Sequence, residues 1–224
     1  MIGEWVRIFA PVGDAYRRRG LAAFPVTITV VVTIIAFAVA YRHPNLHVFI
    51  RHHFDEYGDL SMRSTFIRLF PSIFPPASML PIWGAVLQVA VIFAVAEAHF
   101  GSRTMAIVGL AAHAAATLSA HFFIWLGPHR LLGLPHIVGK FADAGPSAVT
   151  VGLIMYVSVR SKMVQGPVLL AIFLGAEFVL KVGMASREHL VAGLVGLALG
   201  MSGWARPAVR VPALAEPHDE VGVA

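Results

Sequence analysis

The chain has 224 residues, 58% of them hydrophobic and only 13% charged, with a formal net charge of +5 and no cysteine. Soluble domains carry about 25% charged residues, so this composition argues against a soluble globular fold. The missing cysteines exclude disulfides, thiol catalysis and cysteine-ligated metal.

The apolar residues come in long blocks rather than short alternations, the pattern of a one-domain, all-α, multi-pass membrane protein. Residues 1–20 are amphipathic, end in Arg17, Arg18 and Arg19, and are expected as an N-terminal segment rather than a cleaved signal. A first span is predicted over about 21–41, rich in β-branched residues. A long loop, about 42–80, carries His43, His47, His52 and His53 and the acidic patch Asp55, Glu56 and Asp59. Inside it, STFIRLFPSIF is predicted as a short interfacial helix with Phe66, Leu69, Phe70 and Ile73 on its apolar side. Further spans are predicted over about 81–98, 104–126, 145–159, 167–184 and 188–205. The fourth is shorter than a usual crossing and needs shielding by its neighbours. The polar, Pro-rich tail 206–224 is expected to be disordered.

An even number of spans puts both termini on one side. The short loops bearing Arg103, Arg160 and Lys162 favour the cytoplasm for that side, in a plasma-membrane protein whose membrane domain runs 21–205. Basic residues that flank apolar blocks in this way serve topology, so no nucleic-acid partner is expected. The lipid bilayer is the expected partner. Spans four and six then both begin at the outer face, with Ser147 and His189 near their starts and at similar depth.

A serine at a helix start has free amides and a positive dipole end beside it, which suits an oxyanion if a base can reach the hydroxyl. Gly145, Ala148 and Gly152 surround Ser147, and Ala192, Gly196 and Gly200 recur every four residues on span six. Such small stripes let helix backbones touch, and packing alone accounts for many of them. Glu177 and Lys181 are spaced for a helical ion pair in span five. His113 and Thr117 share a face of span three. No H-E-x-x-H occurs and no cofactor or metal is expected; G-P-S-A-V is not the hydrolase elbow, because Val149 fills its last position.

Here the chain resembles the rhomboid superfamily. G-P-S-A-V-T-V-G is similar to the rhomboid fourth-span motif G-x-S-G-x-x-x-G, with Ala148 replacing a glycine. E-H-L-V-A-G-L-V-G is similar to the sixth-span motif A-H-x-x-G-x-x-x-G, with Glu188 and Ala192 as replacements. Glu97, Gly101, Ser102 and Arg103 resemble the turn between the second and third rhomboid spans, the arginine one residue early. The likeness covers about 60–205 and lies nearest the divergent actinobacterial rhomboid-like proteins. It implies a six-transmembrane-helix rhomboid-like bundle and an intramembrane serine endopeptidase cleaving single-span membrane proteins. Ser147 would be the nucleophile and His189 its base, a dyad without an acid, with Glu177 and Lys181 near a lateral gate. The H-x-x-x-N that rhomboids carry at the outer start of span two is missing, and Gln88 is the only amide there. The expected activity is therefore weak. The alternative is an inactive rhomboid-fold protein that binds partner helices. A small transporter is disfavoured, because no inverted repeat or broken helix pair is visible.

Overall fold

The structure is a computed structural model that describes residues 2–75, 82–143, 145–181 and 183–204. Among these residues the chain is all-α. Its helices are α1 (Ile2–Arg19), α2 (Pro25–Ala40), α3 (Pro44–His53), α4 (Met62–Arg68), α5 (Ile82–Leu126), α6 (Ser147–Arg160), α7 (Gln165–Leu180) and α8 (Met184–Met201). The only β feature among them is one isolated bridge between Glu56 and Asp143. The tail expected to be disordered lies outside the described residues.

α5 is continuous by hydrogen bonding but is not one rod. At Gly101 the backbone takes φ 78°, ψ 161°, a conformation reserved for glycine. Contacts with α6 show that the chain doubles back there. Gln88 Nε2 donates to Thr150 Oγ1 at 2.9 Å, while a methyl on Gly109 would lie 2.7 Å from Val149 Cγ1. Twenty-one residues of straight helix would hold Gln88 and Gly109 about 31 Å apart, yet both meet the same turn of α6. The arm 82–100 therefore runs parallel to α6, as the 5.0 Å Phe100–Tyr156 ring contact also requires. The arm 102–126 runs back.

Glu97 fastens this hairpin to α2. Pro25 is the first residue of α2, and no local side chain caps the helix. Instead Glu97 Oε1 accepts from Val26 N–H at 3.1 Å, and Oε2 accepts from Thr27 N–H at 2.9 Å and Thr27 Oγ1 at 2.7 Å. Ser102 Oγ donates to Oε1 at 2.5 Å. A buried carboxylate thus satisfies amides that a helix start leaves free. Apart from Ser102, its partners lie seventy residues away in the chain. Arg103, grouped with the same motif, is exposed and makes no polar contact among the described residues.

The N-terminal segment packs on the bundle. Ile8 is buried, His99 Nε2 bonds Ile8 O at 2.9 Å, and Glu4 accepts from Val164 and Gln165 N–H at 3.4 Å. Gly203, just beyond α8, lies near Arg160. α1 and the end of α8 therefore share the end of the bundle that carries Gly101 and Lys162. The opposite end is closed by two loops. Asp143 N–H donates to Glu56 O at 2.8 Å, Asp59 N–H donates to Gly139 O at 3.3 Å, and a methyl on Gly58 would lie 3.3 Å from Gly139 Cα.

The long loop is more ordered than its polarity suggests. It contains α3, with Pro44 at the first helical position, where proline is favoured. The expected interfacial helix breaks in two at Pro71: α4 ends at Arg68, and residues Pro71–Ile73 form a 3₁₀ turn. Phe66 and Phe70 are exposed, but Ile73 enters the core. The junction of the last two helices also moves. α7 ends at Leu180 and α8 starts at Met184, four residues before the expected start of span six. Ser186 and Arg187 cause this by binding carbonyls at the end of α7: Ser186 Oγ and Arg187 Nη1 both donate to Lys181 O, at 3.0 and 3.1 Å. Arg187 is buried, with its guanidinium 4.3 Å from the Phe178 ring centre, so it is a structural cap rather than a loop charge.

By length and composition one helix, Ile82–Leu126, can cross a membrane, or two if the bent pair Gly3–Ala23 and Pro25–Ala40 counts as one span. Ser147–Arg160 and Gln165–Leu180 are apolar but shorter. α7 also turns its apolar residues outward: Val168, Leu169, Ile172 and Phe173 are more than half exposed, whereas Glu177 is buried. That inversion suits an apolar solvent.

Candidate functional site

α6 and α8 meet backbone to backbone. A methyl on Gly196 would lie 2.2 Å from Gly152 O, and one on Gly152 would lie 3.3 Å from Ala192 O. One on Gly200 would lie 2.9 Å from Val159 Cβ. Contacts advance along both helices together, so the two run parallel. Ala148 and Ala192 complete the interface with Ala112 and Ala116 of α5. A large residue at any of these positions would part the helices.

This packing fixes the height of Ser147 and His189. A methyl on Gly193 would lie 3.7 Å from Val151 Cγ1. Ser147 stands one turn above Val151 on its face of α6, and His189 one turn above Gly193 on its face of α8. The two therefore stand at one level on adjoining helix faces. No hydrogen bond joins them. His189 Nε2 is buried and without a partner.

The other ring nitrogen is engaged. His189 Nδ1 lies 2.6 Å from Glu177 Oε2, across the hairpin between α7 and α8. Lys181 Nζ is 3.4 Å from the other carboxylate oxygen, with its side chain 72% exposed. The pair read from sequence thus exists, but its lysine is the longer and wetter contact, and the short contact goes to the histidine. A histidine without an acid was the expectation; here an acid binds it.

On its other side Ser147 borders a cavity of roughly 10 Å³, room for about one water. Glu56, Asp143, Glu188, Ser72 and His113 also line it. Gly145, at φ 122°, donates its N–H to Ser72 O at 2.8 Å and ties the approach to Ser147 onto the 3₁₀ turn. His113 Nε2 bonds Leu69 O at 2.8 Å and Ser72 Oγ at 3.2 Å, which makes it a pin for that turn, with Thr117 buried beside it. Burial pushes the Asp143 carboxyl up to about 6; His189 nearby opposes the rise and Glu177 adds to it. Burial likewise raises the Glu56 carboxyl, against the opposing pull of Thr65, and His121 Nε2 lies 3.7 Å from its Oε1. Asp143 adds to the rise at Glu56, because carboxyls this close suppress one another's ionisation.

Sequence reading missed this acidic lining. Asp55 and Glu56 sit in a polar loop by composition, yet both are buried, Asp55 against the Tyr41 hydroxyl at 2.7 Å. The available signal was the run Arg187–Glu188–His189, because three ionisable residues in succession at an apolar helix start cannot all face outward. Gln88, the one amide on the first arm of α5, is committed to Thr150 Oγ1 rather than directed at Ser147.

No protein-family model matches the chain, and no curated protein matches it.

Proposed function

We propose that the chain is a rhomboid-like, six-span intramembrane serine endopeptidase with both termini in the cytoplasm. On this reading the two arms of α5 are separate spans, and the loop-covered end of the bundle faces outward. The observation that carries the proposal is the register of α6 and α8, which brings Ser147 and the unpartnered Nε2 of His189 to one level.

In the proposed reaction Ser147 Oγ attacks a scissile carbonyl while His189 Nε2 takes the hydroxyl proton. The imidazolium then returns that proton to the leaving amine, and water hydrolyses the acyl-serine. The gap between the two side chains closes when substrate binds, as catalytic contacts commonly do. The first-turn amides of α6 are the oxyanion donors on this view. No side-chain donor comes from span two, and losing one such donor typically slows catalysis about 10²–10³-fold.

A second reading, a non-catalytic binder of membrane helices, is favoured by the commitment of Gln88 to Thr150. Labelling of purified protein with a fluorophosphonate probe separates the two. The protease reading expects slow labelling of wild type that disappears in both Ser147→Ala and His189→Ala. Wild type that stays unlabelled at long exposure, or labelling that survives Ser147→Ala, overturns it.

A further inference from the structure

We propose that Glu177 is a positioning residue for His189, holding the imidazole as the Nδ1–H tautomer so that Nε2 keeps its lone pair toward Ser147. The inference rests on the protease reading for its purpose, though its geometry stands apart from it. It converts the expected serine–histidine dyad into a serine–histidine–glutamate relay whose acid comes from α7.

Three features carry it. First, the 2.6 Å contact from Nδ1 to Glu177 Oε2 is the only hydrogen bond His189 makes among the described residues. An ionised carboxylate can only accept, so the proton in that contact belongs to Nδ1. Second, the hairpin that presents Glu177 is clamped. Arg187 Nη1 and Ser186 Oγ hold Lys181 O, Arg187 Nη1 also reaches Phe178 O at 3.4 Å, and a methyl on Gly193 would sit 2.9 Å from Leu174 Cδ1. α7 and α8 are thereby fixed in the one register that puts Glu177 opposite His189. Third, Lys181 takes the other oxygen, Oε1, leaving Oε2 to the histidine. A carboxylate buried among apolar residues without such a role would be costly.

The charged groups around His189 are Glu177, which bonds the ring, Lys181, which shares the Glu177 carboxylate, and Asp143, from the loop before α6. Of these only Glu177 makes a hydrogen bond to the ring. In the relay no bond to Glu177 breaks. The carboxylate steadies the imidazolium that forms when Nε2 takes the Ser147 proton, and it remains ionised throughout.

The test uses full-length protein in detergent with ¹⁵N-labelled histidine, read at about pH 8, where an ordinary imidazole is neutral. The His189 signals are assigned by their loss in His189→Gln. Wild type should show a protonated Nδ1 and a bare Nε2, and Glu177→Gln should lose that preference. The same variant should label with fluorophosphonate at least tenfold more slowly than wild type, with an unchanged melting profile. A bare Nδ1 in wild type, a doubly protonated ring at this pH, or the same tautomer and labelling rate in Glu177→Gln overturns the inference. The tautomer reading needs no catalysis. Wild type with the expected tautomer but no labelling therefore sinks the protease reading and leaves the glutamate–histidine assignment standing. If Glu177→Gln fails to fold, the tautomer of wild type still decides.

Discussion

Gly196→Ala tests the contact on which the site depends. The added methyl would lie 2.2 Å from Gly152 O, 3.0 Å from Gly152 C and 3.1 Å from Met155 Cβ. To reach ordinary contact α6 and α8 must part by about 1 Å, which is overpacking of the kind that costs about 1–3 kcal/mol. Replacing a helical glycine by alanine returns about 1 kcal/mol of propensity, so the net loss should reach at most about 2 kcal/mol. For a chain of this size that corresponds to a melting point lower by up to about 8 °C. Gly175→Ala supplies the control. Gly175 is exposed on α7 and has nothing within 4 Å of an added methyl, so the same chemistry should stabilise there. Both variants are to be melted in one detergent by intrinsic tryptophan fluorescence. Opposite signs are expected. Gly196→Ala melting at or above Gly175→Ala would refute the backbone contact, and with it the argument that brings Ser147 level with His189.

Glu97→Ala should leave the amides of Val26 and Thr27 without acceptors and cost about 1–3 kcal/mol; hydrogen exchange at those two amides should quicken while the α6 amides stay protected. Unchanged exchange at Val26 and Thr27 would remove Glu97 as the cap of α2. Asp143→Asn should change the pH dependence of stability. The Asp143 carboxyl titrates near 6 in the fold, against about 3.9 unfolded, so its favourable contribution is complete below pH 4 and is lost as pH rises through about 6. The variant should therefore melt increasingly above wild type between pH 4 and 6, with a constant gap beyond; a gap that does not vary over that range would contradict the burial of this carboxyl.

The apolar blocks in the sequence announced the helices to within a few residues, because an uninterrupted apolar run with its backbone bonded internally is a local property. The four-residue spacing of Ala192, Gly196 and Gly200, and the place of Ser147 near the start of its helix, were legible for the same reason. The boundary of α8 was not, because Arg187 and Ser186 act on carbonyls of the preceding helix, and nothing near them in the chain announces that. Local composition also made Asp55 and Glu56 look solvated, when two loops far apart in sequence close over them.

The chain by itself therefore determined an all-α architecture built on apolar helices, with its small residues recurring along one helix face. Tertiary structure alone decided what each polar side chain touches. Glu97 reaches α2 across seventy residues, Gln88 goes to Thr150, and Glu177 leaves Lys181 at the longer distance to take His189 at the shorter. The reason is rotational. Sequence spacing fixes which residues share a helix face, whereas the direction that face points follows from close packing at Gly152, Gly193 and Gly196, where a one-residue change of register would send every partner elsewhere.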